Sequence, residues 1–203
     1  MLTDFWIPLT TFAVVASFTP GPNNLMLAAS GMNYGFRRTV PHMAGVSLGF
    51  PVLLLCTIFG IGTLIGQFPG LSEVMQVLSA GFICYFAWRI ATSDADLRTD
   101  GATRPFTLWQ AALFQWVNPK AWAIAIVVAS LYAPAGIHDW RKALYIAVLF
   151  FVVAFCCTSC WTSLGTVIRS VLQDSTIRRR INWGMAAALI LTMVPIFAKE
   201  ALS

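Results

Sequence analysis

Two short runs hold most of the groups in this chain whose types and spacing could do chemistry: Thr19-Pro20-Gly21-Pro22-Asn23-Asn24 and Gln115-Trp116-Val117-Asn118-Pro119-Lys120. In the second run, Asn118 before Pro119 reads as a helix N-cap with proline at the first helical position, so a new helix starts there. Its unpaired N–H groups and the positive end of its dipole suit a carboxylate. Lys120 adds a full charge in the same first turn. An ammonium at mid-membrane costs about 2.5–3.5 kcal/mol on the lenient insertion scale, so a lysine there is read as functional. The bland alternative is a lysine that snorkels to an interface. In the first run, Thr19, Asn23 and Asn24 bracket Pro20, Gly21 and Pro22. Their side-chain oxygens, with carbonyls freed by the break, can accept from an ammonium, and Gly21 permits close backbone approach. Together the runs complement a zwitterion, with Gln115 as a further lining residue. The competing reading is a pair of kinks that only let helices pack.

The elements that must hold these runs are apolar. The chain is 58% hydrophobic and 10% charged, against about 25% charged in soluble domains. A soluble domain of this size could not hide so much apolar surface. The net charge of +5 is no nucleic-acid footprint, because the basic residues fall between apolar stretches rather than on one face. Six segments are long enough to span a bilayer: Phe5–Ser30, Val40–Gly66, Leu71–Ala91, Phe106–Tyr132, Lys142–Ser170 and Asn182–Ala198. Trp6, Tyr34, Trp88, Trp109, Trp140 and Trp183 stand near their ends, as interfacial anchors do. Met1-Leu2-Thr3-Asp4 has no basic leader run, so the first span is expected to be retained.

Each run breaks a span near its middle, and proline inside a spanning helix removes backbone hydrogen bonds. Such breaks persist in hydrocarbon only where protein or a wet cavity covers them. Pro20 answers to Pro119, Arg37-Arg38 to Arg141-Lys142 and Gly81 to Gly184, at offsets of about 99 to 104 residues. The expected fold is therefore all-α and integral to the membrane. It is one domain over residues 1–203, with a first three-helix repeat at about 5–92, a cytoplasmic linker at about 93–105 and an inverted second repeat at about 106–203. Paired Gly/Pro-interrupted spans point to a carrier's midplane site. Arg37, Arg38, Arg89, Arg98, Arg104, Arg169, Arg178, Arg179 and Arg180 fall in loops on one side, against Arg141, Lys142 and Lys199 on the other. The positive-inside rule then puts both termini outside the cytoplasm.

Thr19-Pro20-Gly21-Pro22-Asn23, Tyr34-Gly35-Phe36-Arg37, Gly45-Val46-Ser47-Leu48-Gly49 and Val117-Asn118-Pro119-Lys120 follow in order along nearly the whole chain. With them the sequence resembles the lysine-exporter superfamily, in its homoserine/threonine-exporter branch. Thr19–Asn24, Gly45–Phe50 and Ala91-Thr92-Ser93 look most like that branch's cysteine and O-acetylserine exporters. The resemblance implies proton-motive export of small neutral amino acids through a bacterial inner membrane by a secondary transporter, not an enzyme. No cofactor, metal or nucleic-acid partner is implied; the partners are the amino acid, protons, the bilayer and, in one option, a second copy of the chain. Many relatives carry Asp directly after Pro-Gly-Pro, whereas this chain has Asn23. All eight acids, Asp4, Glu73, Asp94, Asp96, Asp100, Asp139, Asp174 and Glu200, fall at span ends or in loops. Proton coupling then falls to Lys120 or His42, or to the charge of the substrate itself, and a cationic substrate is disfavoured.

Three other signals carry less. Cys156, Cys157 and Cys160 lie in an apolar span with no nearby histidine or acid, and Cys56 and Cys84 are isolated, so all five read as small hydrophobes in packing. A membrane thiol–disulfide carrier needs a cysteine beside each break, and the first and fourth spans have none. Exporters of metal ions or basic amino acids are the remaining alternatives. Gly45-x-x-x-Gly49 and Gly62-x-x-x-Gly66 allow close helix approach; the first is expected to pack inside the chain.

Overall fold

A computed structural model describes residues 2–61, 69–93, 104–132, 140–171 and 174–192. All regular structure among them is helical. The helices are α1 (Leu2–Phe18), α2 (Pro22–Tyr34), α3 (Phe36–Cys56), α4 (Pro69–Ala91), α5 (Leu108–Val117), α6 (Pro119–Tyr132), α7 (Trp140–Val171) and α8 (Ser175–Leu191). A π-helical turn, Thr57–Ile61, extends α3. Gly35 ends α2 at φ 80°, a left-handed angle that favours glycine, and the chain turns at once into α3.

The six expected spans are met in part. Phe36–Gly60, with mean hydropathy 2.0, and α7, with 2.4, are long and apolar enough to cross a membrane unbroken. The pair α5 and α6 meets the same test across a 67° bend. Phe5–Phe18 and Val77–Ala91 are apolar but shorter. The expected first span is divided at Thr19–Gly21, and its second piece runs past Ser30 to Tyr34. The second span starts at Phe36 rather than Val40, and the last at Ser175 rather than Asn182. Arg37, Arg38 and Arg178–Arg180, expected in loops, therefore sit inside the first two turns of α3 and α8. The Asp174 carboxylate caps α8 by accepting from the Thr176 N–H at 2.7 Å, so helix forms before the apolar stretch begins. The expected ends at Gly66 and Ala198, most of the 93–105 linker, and Asp94, Asp96, Asp100, Asp139 and Glu200 lie outside the described residues.

Helices α2, α3 and α7 form the centre, with α5 on α3 and α4 on α8. Small residues set the closest approaches. A Cβ added to Gly31 would strike the Thr162 carbonyl, and one on Gly165 the Ala28 carbonyl, so α2 and α7 touch through backbone. Gly45 meets the Leu108 carbonyl and Gly49 meets Ala112, so the Gly45-x-x-x-Gly49 spacing packs α3 on α5 inside the chain. Two apolar cores result. One gathers Leu27, Met43, Ile83, Phe86, Phe114 and Leu189; the other gathers Leu9, Leu53, Leu54, Ala125, Ile146 and Phe150.

The helix ends sort into two groups. At one end the Asn33 and Asn182 amides bond reciprocally at 3.1 Å, Arg169 reaches the Asn33 carbonyl at 3.5 Å, and Arg89 donates to the Arg104 carbonyl. We call this the basic end. At the other, Tyr132 packs on Phe5 and Phe12, and the Lys142 ammonium lies 4.1 Å from the Phe5 ring centre. Val77, Leu113, Val152 and Val171 on the flanks are exposed, as are Trp88, Trp109, Trp140 and Trp183 near helix ends. That distribution fits side chains facing lipid, with aromatic rings at its boundary.

Candidate functional site

The bent pair α5 and α6 begins with a capping box. Thr107 accepts from the Gln110 N–H at 3.3 Å and Gln110 accepts from the Thr107 N–H at 3.1 Å, which fixes the start of α5. The helix stops at Val117 because Pro119 has no N–H to continue it. Asn118 stands between the pieces at φ −81° and ψ 110°. Its Oδ1 accepts from the Lys120 N–H at 3.1 Å, so the expected cap is present and α6 starts at Pro119. The Trp122 indole N–H closes the outer side of the bend on the Trp116 carbonyl at 2.7 Å. Trp116 is thereby engaged at the bend and is absent from the cavity lining.

The expected first span breaks where α1 meets Thr19-Pro20-Gly21. Its freed carbonyls are taken up by side chains: the Asn24 amide donates to Ser17 O at 2.8 Å and to Thr19 O at 3.0 Å. The Lys120 ammonium, from the other break, also donates to Thr19 O. Asn23 donates to Gln115 Oε1 at 2.9 Å, and Gln115 donates back at 3.4 Å and to Ala111 O at 2.8 Å. The two breaks, about a hundred residues apart in sequence, thus meet through Asn23–Gln115 and Lys120–Thr19. Each uncovered carbonyl in hydrocarbon would cost several kcal/mol, and these contacts cover the ones the first break frees.

Between them lies a cavity of about 510 Å³ including its open mouth. Gly21, Asn23, Asn24, Gln115, Asn118 and Lys120 supply its polar wall, and Val46, Phe50, Ala121 and Ile124 its apolar one. Asn24, Gln115 and Asn118 are 5%, 0% and 2% exposed, so their amides are held rather than free to rotate in solvent. Gly21 is extended, a conformation open to any residue. Its need is space: a Cβ there would lie 2.8 Å from Lys120 Cδ.

Not every expected residue faces this cavity. Thr19 is exposed and its hydroxyl donates to Val15 O at 2.6 Å, so it enters only through its carbonyl. Pro20, Pro22 and Pro119 shape the breaks and bring no donor. His42 lies elsewhere, against Phe106 near the basic end. Conversely, α7 brings Ala154, Cys157 and Thr158 to the cavity wall. Cys157 is buried, with its thiol 3.2 Å from Ser17 O and 3.6 Å from Asn24 Oδ1. Cys84, Cys156 and Cys160 are exposed on the flanks and Cys56 is half-buried, so the uniform core reading of the cysteines does not hold. The signal for Cys157 and Thr158 was a polar run, Cys157-Thr158-Ser159, at the middle of an otherwise apolar helix.

Apolar helices of spanning length, a mid-span break and a polar cavity at that break define a multi-pass membrane protein. A family model described as LysE type translocator matches residues 14–197, and the chain belongs to that family. It is similar to proteins named cysteine/O-acetylserine efflux protein from Escherichia coli O1:K1, at 28% identity, and from Escherichia coli K12 and Shigella flexneri serotype 5b, each at 27%. Each similarity runs over 97% of this chain and 97% of the relative. No solved structure matches.

Proposed function

We propose that this protein is a secondary transporter that exports small neutral amino acids, of the cysteine/O-acetylserine or threonine/homoserine class, across a bacterial inner membrane. Proton-motive force drives it, and the cavity between the two breaks is its substrate site. The observation that carries the reading is the meeting of both breaks at one polar cavity containing a lysine. Asn118 and the remaining N–H bonds of Lys120 offer donors to a carboxylate. The oxygens of Asn23, Asn24 and Gln115 offer acceptors to an ammonium. Val46, Phe50, Ala154 and Cys157 leave an apolar wall for a short side chain. The printed names of the similar proteins support the same substrate class. Among the described residues no carboxylate lines the cavity, which agrees with a neutral rather than cationic solute.

The architecture we infer is six spans in two inverted halves, with α1/α2 answering to α5/α6, α3 to α7 and α4 to α8. Support comes from the ends: Arg37-Arg38 begins α3 at the basic end, while Arg141-Lys142 begins α7 at the opposite end. Both termini would then be periplasmic and the basic end cytoplasmic.

The test is transport in proteoliposomes with an imposed pH gradient, using labelled cysteine, O-acetylserine, threonine, homoserine and lysine. Gradient-driven movement of one or two neutral substrates is expected. Lysine moving best would overturn the substrate class, and no movement from folded protein would overturn the transporter reading.

A further inference from the structure

A second cavity, about 340 Å³ including its open mouth, lies at the basic end and shares no lining residue with the first. It is bounded by the last turns of α2, by His42 on α3, by the end of α4 and by residues 104–106 leading into α5. His42 is 2% exposed and neither ring nitrogen has a hydrogen-bond partner. An imidazole left so is anomalous, since buried polar side chains are satisfied in the great majority of structures. Its ring is fixed edge-on to Phe106, with centres 4.9 Å apart.

Three other polar side chains of this wall are occupied. Ser30 pairs with Thr39 at 3.0 Å, Asn33 with Asn182, and the Ser93 hydroxyl with the Arg89 carbonyl at 2.7 Å. Beside them the wall carries positive charge. Arg89 spends one N–H on the Arg104 carbonyl and rests against the rings of Tyr85 and Phe86, at 5.9 and 6.0 Å. Arg104, whose carbonyl takes that bond, also lines the cavity. Among the described residues no carboxylate lines this cavity. A guanidinium fork matches a carboxylate in geometry as well as charge, and His42 can donate to or accept from the same bound solute.

We propose that this cavity is a second amino-acid site, where Arg89, Arg104 and His42 take the solute's carboxylate at the basic end before it reaches the cavity between the breaks. The proposal rests on the transporter reading and extends it to the path of entry. It is tested by the stoichiometry of labelled O-acetylserine bound to the full chain in nanodiscs. Wild type is expected to bind two molecules per chain. Asn118→Ala should retain one, and the pair Arg89→Gln with Arg104→Gln should retain the other. His42→Phe, which keeps the packing on Phe106, should also lose the basic-end molecule. One bound molecule, abolished by Asn118→Ala and unaffected by the arginine pair, would overturn this inference and leave the transporter reading standing. No bound amino acid of any kind would overturn that reading itself. Inorganic phosphate or acetate bound at the arginines, with no amino acid there, would identify a simple anion site and overturn the amino-acid assignment.

Discussion

Lys120 joins the two breaks, because its backbone is capped by Asn118 and its ammonium ends on the Thr19 carbonyl. One charged side chain therefore covers an orphan acceptor of the first break while standing at the wall of the cavity. Hydrogen bonds to charged groups are worth about 1.5–3 kcal/mol, so this link is strong enough to set the distance between the breaks. Gly21 is the residue that makes room for it. Gly21→Ala places a methyl 2.8 Å from Lys120 Cδ, and the flexible lysine must give way. Losing its aligned hydrogen bond should lower transport about ten- to a hundredfold, while expression and thermal stability stay near wild type because the displaced group is a side chain. Transport assays beside melting curves check this; a folded variant with unchanged transport would mean that Lys120's position is immaterial. The types of these residues were legible in the sequence, and so was the cap at Asn118. That Thr19 would turn outward and bond its own helix was not, since a hydroxyl can satisfy itself locally on the Val15 carbonyl. Cys157 was hidden for the opposite reason: cysteine in an apolar helix looks like packing until the neighbouring helix is known to be broken there.

The elements follow a simple rule in which small residues fix where backbones touch and prolines fix where they part. The three prolines of the breaks and the Gly45-x-x-x-Gly49 contact could be read from the chain alone. The ends of the helices could not, because hydropathy locates the apolar stretch while capping and charge decide how far helix continues beyond it. Arg178–Arg180 lie inside α8 for this reason, started by Asp174. Gly31 and Gly165 belong to no expected motif, since they face each other's helices across the fold rather than along one strand of sequence. Their contact is backbone to backbone, so a side chain there has nowhere to go. Gly165→Val should destabilise the protein by about 1–3 kcal/mol through overpacking, seen as a lower melting temperature in detergent. Gly184→Ala, where an added Cβ meets nothing within 4 Å, should leave it unchanged. Equal stability of the two variants would contradict the close contact of α2 with α7.

For the whole molecule, the cavity between the breaks has its tightest backbone contacts on the basic-end side, where Gly31, Gly45 and Gly165 lie. In the proposed rocking carrier, with its basic end cytoplasmic, exchange with that side requires those contacts to part. A tether across the basic end should therefore stop transport without touching the cavity. Asn33→Cys with Asn182→Cys, in a background lacking Cys56, Cys84, Cys156 and Cys160 but keeping the buried Cys157 of the cavity wall, puts a thiol on each side of the reciprocal amide pair. A short thiol-bridging reagent with a cleavable link should abolish transport, and cleavage should restore it. Full transport while bridged would mean that α2 and α8 move as one body. The proposed six-span architecture, with its basic end cytoplasmic, predicts the sidedness as well: a periplasm-active reporter fused after Ser203 should be active, and a cytoplasm-active one silent.

The most direct measurement of the central claim is gradient-driven transport by Lys120→Ala in proteoliposomes, at matched reconstitution and with the fold checked by melting. If the meeting of the two breaks makes the substrate site, the variant remains folded and moves neither O-acetylserine nor any other neutral amino acid above background. Transport at the wild-type rate would show that the site lies away from the breaks and that their meeting serves packing alone.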